Sequence, residues 1–328
     1  MQTDSVVGNQ SGIALVLTLL TLSFLVALTV QLVITVNRQI SIATTQREQI
    51  RLDNMVLAGL SLARAALLAD QKENTFDSLQ DSWGVLDQEK LKGLAGDIDL
   101  RVTVADLSGR LQVNALADKT KQKYRAIWQR FLLSGRFAIG SEDQAEALLD
   151  ALGDWVDRDD EERPQGAEES YYRTLNPPYS CRNGKMLAPE ELLLVKGMTS
   201  QIVYGDKGHE GIINYITIVG DDGKLNLNTA PLPVLLALSP EMTPELAQEL
   251  IVFRQGQQNR KTLANVAWYQ QVNGFPNTIN LGNDLLTVTS KYFNVSASAS
   301  MHQYNRIGTG ILSRAQNQEQ TVLLWKIE

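Results

Sequence analysis

IALVLTLLTLSFLVALTVQLVITV (residues 13–36) runs for 24 residues without a charged side chain. As a helix rising 1.5 Å per residue it spans about 36 Å, enough to cross a hydrocarbon layer of about 30 Å with some tilt. A secretory signal has a shorter apolar core, about 7–15 residues, and a small-residue cleavage site behind it. This run ends in Val36-Asn37-Arg38 with no Ala-x-Ala, so it reads as a transmembrane anchor. Thr18, Thr21, Thr29 and Thr35 fall within an arc of roughly 120° on such a helix. A stripe of this kind either returns its hydroxyls to carbonyls one turn back or forms a helix–helix contact.

The helical pattern continues past the apolar run. From Gln39 to Asp70 there is no proline and one glycine, Gly59. Leu52, Met55, Val56, Gly59, Ala63, Ala66 and Leu67 recur at i, i+3 and i+4, which predicts one continuous helix of about 55 residues with a two-faced outer half lying on a soluble body. Arg38, Arg47 and Arg51 follow the apolar run, whereas Met1–Gly12 carries Asp4 and neither Lys nor Arg. Taken alone, the positive-inside rule puts the C-terminal side in the cytoplasm.

The whole chain has 328 residues, 30 Lys+Arg against 37 Asp+Glu, and a net charge of −7. That length suggests two or three structural units, and the acidic balance gives no basic surplus for nucleic acid. Cys181 is the single cysteine, and His209 and His302 are the two histidines. An internal disulfide is excluded, and a thiol–histidine nucleophile pair or a His-rich metal site is disfavoured.

Strand periodicity begins in IDLRVTVADLSGRLQVN (98–114), where Ile98, Leu100, Val102 and Val104 share one face, and Ser108-Gly109 predicts a hairpin. GRLQVNAL (109–116) has an echo in GKLNLNTA (223–230). In each, a strand delivers an Asn ahead of helical sequence, as a candidate cap. A second hairpin is expected over 212–229, and alternation returns after residue 283 to close a sheet with Leu323, Leu324, Trp325 and Ile327. The fold expected is α+β: a long N-terminal transmembrane helix packed on an antiparallel sheet, with a large all-helical domain inserted between strands.

DWVDRDDEERPQGAEESYY (154–172) concentrates eight carboxylates between Asp154 and Glu169. Asp157, Asp159, Glu161 and Glu168 stand at relative positions 1, 3, 5 and 12, the spacing of a calcium loop, but Glu162 replaces the glycine of an EF-hand. Hard oxygen donors in a loop favour calcium over transition metals; an acidic loop left to solvent has the same composition. An anchored hydrolase built on this block needs two separated carboxylates on opposed faces. Residues 191–203 and 238–254 look like helix–hairpin–helix pieces. They raise the alternative of a membrane-anchored DNA receptor, but they lack the paired glycines that meet phosphate.

These motifs together resemble minor pseudopilin K of the type II secretion system, the general secretion pathway protein K family. The resemblance is carried by Gly12 before IALVL with Leu17 where pilins have glutamate, DWVDRD followed by GAEESYY, PPY (177–179), EELLLVKGMT (190–199), LNLNTAP (225–231) and VLLWKIE (322–328). It implies a non-enzymatic subunit of the pseudopilus tip, in the inner membrane with a periplasmic body. The implied organisation is a prepilin leader (1–12), the transmembrane part of the helix (13–36), the rest of the helix with the first pilin-core strands (37–113), a helical insert with the acidic loop (114–211), a hairpin (212–229), a second helical segment (230–282) and C-terminal core strands (283–328). The implied partners are minor pseudopilins I and J, other pseudopilins, inner-membrane lipid and a prepilin peptidase that cuts between Gly12 and Ile13 and methylates the new amine. Nucleic acid is not among them. The implied cofactor is calcium, carried onto Asp157, Asp159 and Glu168, with Asp154, Glu161 and Glu169 beside them. The chain departs from the family pattern in its leader, which has no basic residue, and in having one cysteine where some relatives have a pair.

Overall fold

The computed structural model describes residues 10–89, 91, 96–282, 284–315 and 319–328; most of the expected leader lies outside them. Helix α1 (Gln10–Glu73) is continuous over 64 residues, about 95 Å, and so longer than the sequence predicts. Its apolar half is exposed throughout, from Ile13 to Val36. Thr18 and Thr21 donate to carbonyls three residues back, and Thr29 and Thr35 to carbonyls four residues back. The threonine stripe therefore satisfies its own hydroxyls within the helix.

The outer half of α1 lies on a four-stranded antiparallel sheet. In chain order the first strands are β1 (Asp99–Asp106) and the two-residue β2 (Leu111–Gln112). Helices α2 (Gln122–Leu132), α3 (Glu142–Val156), α4 (Glu169–Tyr172) and α5 (Ser200–Tyr204) follow. Two short strands, β3 (Ile216–Thr217) and β4 (Leu225–Asn226), precede α6 (Leu232–Ala237) and α7 (Pro244–Gln255). The chain closes with β5 (Leu286–Thr287), β6 (Tyr292–Met301), β7 (Tyr304–Arg314) and β8 (Gln320–Ile327). The main sheet has the order β1-β6-β7-β8. Strand β6 alternates strictly, burying Phe293, Val295, Ala297, Ala299 and Met301 beneath α1. Leu52, Val56, Ala63 and Leu67 meet them from the helix, and Trp83 closes the end of this core edge-on to Phe293 at 5.2 Å. At Gly59 helix and sheet nearly touch: a Cβ there would stand 2.8 Å from Ala297 Cβ.

Strands β1 and β6 are hydrogen-bonded neighbours, yet residues 107–291 lie between them in the chain. This insert has its own core, built around Trp128, Phe131, Leu148, Leu152, Trp155 and Tyr172 in its first half and Trp268 in its second.

Both expected hairpins are corrected. Strand β1 pairs with β6, and β2 pairs in parallel with β3, Leu111 opposite Ile216. Strand β4 pairs in parallel with β5, Leu225 opposite Leu286. Parallel neighbours need a crossover between them, and the helices supply it. The two echoed motifs thus open two equivalent units, each a short strand, a helical block and a returning parallel strand. The expected caps are corrected too. Asn114 is buried, accepts from Met186 N at 2.8 Å and donates to Ile218 O at 2.5 Å. Asn228 is buried, donates to the Asp77 and Leu263 carbonyls at 3.1 Å and accepts from Trp268 Nε1 at 2.7 Å. Asn114 ties its own unit across, and Asn228 ties its unit across and to the segment after α1, rather than capping the helix that follows.

The insert joins the core between α1 and the main sheet at the end of α1 remote from the apolar half. There Arg314, at the end of β7, is buried and ion-pairs with Asp77 and, at 3.5 Å, with Asp70. It also donates to the carbonyls of Leu67 at 3.3 Å and Ser290 at 3.1 Å, and Asp77 accepts from Ser290 N at 2.7 Å.

Candidate metal centre

Asp154 stands in the last turn of α3 and is fully buried; Asp157 is its C-cap residue. Helix α3 forms because Ser141 caps it by accepting from Gln144 N, and because its apolar face faces the insert core. The chain then loops out through residues 158–162 and returns, so that Glu168, just ahead of α4, meets the two aspartates. One oxygen from each of Asp154, Asp157 and Glu168 lies within 4.8 Å of the others.

The three carboxylates differ in what satisfies them. Asp154 accepts from Arg163 N at 3.2 Å, Arg163 Nη1 at 3.1 Å and Ala167 N at 2.9 Å. No donor of good geometry reaches either oxygen of Asp157 or of Glu168, although the two residues are 5% and 3% exposed; the buried Cys181 thiol faces Glu168 as a weak donor only. Arg163 Nη2 is 3.2 Å from Asp157 Oδ2, an ion-pair distance without hydrogen-bond alignment. Burial pushes Asp157 up to about 6, against the pull of Arg163. Burial, then the charges of Asp154 and Asp157, push Glu168 up to about 7. Four buried carboxylate oxygens without a donor of good geometry are a costly arrangement unless a cation completes it. An oxygen-only donor set suits a hard divalent ion.

The loop is held in place from outside. Asp150 accepts from Gln165 N at 3.1 Å and pairs with Arg125 at 2.8 Å. Lys196 Nζ donates to Gly166 O at 2.6 Å. Asp70, Asp77 and Asp81 also converge, but there the charge is met within the chain, by Arg314 and by Arg260, 2.9 Å from Asp81.

A family model described as type II secretion system protein K matches residues 109–204, and a second of the same description matches 225–289. The first starts two residues ahead of β2 and the second at the first residue of β4, the strands that open the two crossover units. The type II secretion system protein K of Pseudomonas aeruginosa is 26% identical over 94% of this chain and 90% of its own length. That of Klebsiella pneumoniae is 26% identical over 75% of this chain and 76% of its own.

The chain belongs to the type II secretion system protein K family.

A solved protein K-type fold agrees. A chain in the crystal structure of the GspK-GspI-GspJ complex from the enterotoxigenic Escherichia coli type 2 secretion system superposes with a TM-score of 0.62. It is 19% identical and covers 87% of this chain and 99% of that one. As a protein K this chain is a minor pseudopilin, a structural component of the secretion system.

Of the six carboxylates singled out in the sequence, the fold brings together Asp154, Asp157 and Glu168. Asp159 is turned outward to Lys119 at 3.0 Å, which holds its carboxyl below the usual range. Glu161 is exposed, 3.7 Å from the same lysine. Glu169 accepts from Cys181 N at 2.7 Å and Arg173 Nε at 2.5 Å. Cys181 is a free, buried thiol. The residues the sequence did not single out are Arg163, Gly153 and Lys196. Two arginines stand in the acidic block; Arg158 is exposed and Arg163 is nearly buried, a difference that only the return of the loop decides. The two helix–hairpin–helix-like stretches are packing turns. A Cβ on Gly197 would meet the Leu148 side chain at 3.3 Å, and Ile202 and Val203 beyond it are buried.

Proposed function

We propose that this chain is the tip subunit of the pseudopilus: a single-pass inner-membrane protein, its body in the periplasm, that starts or caps the filament and so helps to set its length during export across the outer membrane. The observation that carries the reading is α1. Its apolar half is bare, open to lipid and to the helices of other pseudopilins. Leu17 occupies the fifth position from Ile13, where the glutamate of ordinary pilins would neutralise the N-terminus of a neighbouring subunit. The insert hangs from the far end of the helix and broadens the head there, where no further subunit has to be added. Minor pseudopilins I and J are the neighbours this reading gives it, as in the Escherichia coli complex.

A prepilin peptidase cuts between Gly12 and Ile13 and methylates the new amine. Coexpression with the peptidase should yield a mature chain beginning at methylated Ile13, and Gly12→Val should leave the leader attached and stop export. A Gly12→Val chain that is still cut, with export intact, ends this reading. Tagged full-length chain should copurify with pseudopilins I and J, and protease added to spheroplasts should digest its body.

Calcium is the ion we place at the carboxylate centre, on Asp157 and Glu168 with Asp154 beside them. Asp159, Glu161 and Glu169 would join only by leaving Lys119 and Arg173. Bound there, calcium supplies positive charge to these oxygens and fastens the 158–167 loop to α3. Calorimetric titration of the full-length chain in detergent with calcium should show heat; its absence ends the calcium assignment.

A further inference from the structure

Arg163 stands inside the carboxylate cluster, with its side chain 9% exposed. The position is cut to its shape: a Cβ on Gly153 would stand 1.8 Å from Nη1 and 2.3 Å from Cζ. Nη1 donates to Asp154 Oδ1 at 3.1 Å and Nη2 donates to the Leu116 carbonyl at 3.2 Å. Toward Asp157 the guanidinium presents charge at 3.2 Å without a hydrogen bond. An ion seated between Asp157 and Glu168 therefore leaves the hydrogen bonds of Arg163 intact and shares the cluster with a fixed positive charge.

Three ionised carboxylates carry a charge of minus three, and Arg163 brings the cluster to minus two, which one divalent ion neutralises. We propose that Arg163 sets the valence of the ion this centre holds, favouring a divalent over a trivalent ion of similar radius. The proposal rests on the calcium reading above. The guanidinium repels a trivalent ion half again as strongly as a divalent one at the same point. The three carboxylates attract the trivalent ion more strongly by the same factor, but they are the same in every variant at position 163, so a change in the preference reads Arg163.

Terbium(III) and calcium have similar radii and both bind carboxylate oxygen, so the ratio of their Kd values cancels general damage to the site. The full-length chain in detergent is titrated with each ion alone, and the ratio Kd(calcium)/Kd(terbium) is compared across variants. In Arg163→Met it should rise about tenfold or more, while Arg163→Lys, which keeps the charge, should stay near the parent. A ratio unchanged in Arg163→Met, or raised equally in Arg163→Lys, overturns the proposal and leaves the calcium reading standing. A parent chain that binds neither ion ends both. Should Arg163→Met not fold, the parent decides: gadolinium bound at the centre must broaden the Arg163 Nε–H resonance, and a sharp resonance overturns the proposal.

Discussion

Asp157 and Glu168 are buried carboxylates whose oxygens find no hydrogen-bond donor of good geometry, and their surroundings fix how stability should follow pH. Both titrate above ordinary carboxylates, at about 6 and about 7, so the ion-free fold binds protons that the unfolded chain has already released. Their contribution to stability is full below the unfolded carboxylate range, near pH 4, and is lost as pH rises through 6 and 7. In chelator, thermal unfolding should therefore fall to lower temperature between pH 5 and pH 8, and excess calcium should recover part of the loss at pH 8. Asp157→Asn with Glu168→Gln should abolish the calcium heat and flatten this part of the pH profile, without destabilising the chelated protein. Asp154→Ala should behave differently: it leaves Arg163 buried beside lost acceptors and should cost about 3–5 kcal/mol with or without calcium, read by denaturant unfolding. This division was only half legible. The positions 1, 3, 5 and 12 marked Asp157 and Glu168 correctly for convergence, but gave Asp159 and Glu161 the same standing. Lys119, 40 residues before Asp159, draws both outward, and no local spacing encodes that.

Among the elements, α1 was the most readable, because helical periodicity on an uninterrupted apolar stretch needs no knowledge of the rest of the chain. The glycine in its outer half meets the sheet: a Cβ on Gly59 would come within 2.8 Å of Ala297 Cβ and 3.1 Å of Val102 Cγ2. Gly59→Val should force helix and sheet apart at a cost of about 1–3 kcal/mol, seen as a lower unfolding temperature by circular dichroism, with the calcium centre unaffected. The alternation of β1 and β6 was equally plain, since a sheet with one face under a helix buries every second residue. The sequence reads β2, β3 and β4 as hairpin arms and β5 as part of the closing sheet, and none of these pairings holds. Each strand is two residues long, and its partner is set by the helical block that intervenes, from Leu111 to Ile216 and from Leu225 to Leu286. The echo of GRLQVN in GKLNLN was nevertheless a sound signal of two like units; what it could not disclose was parallel pairing at long range.

At the scale of the molecule, Arg314 ties the end of β7 to the end of α1 and to the segment that leads into β6. Arg314→Met should leave Asp70 and Asp77 buried without their counter-charge, a loss of about 3–5 kcal/mol, measurable as a fall in the denaturant midpoint. The insertion of residues 107–291 between two adjacent strands has a further outcome in time. A chain made from its N-terminus releases β1 long before β6 exists, so the first strand waits, its backbone amides unpaired, while the whole insert is synthesised and packs on its own core. Pulse-labelling with deuterium during refolding should accordingly protect the amides of α2 and α3 before those of β1, and a chain ended at residue 291 and released should display a closed insert beside a β1 without a partner.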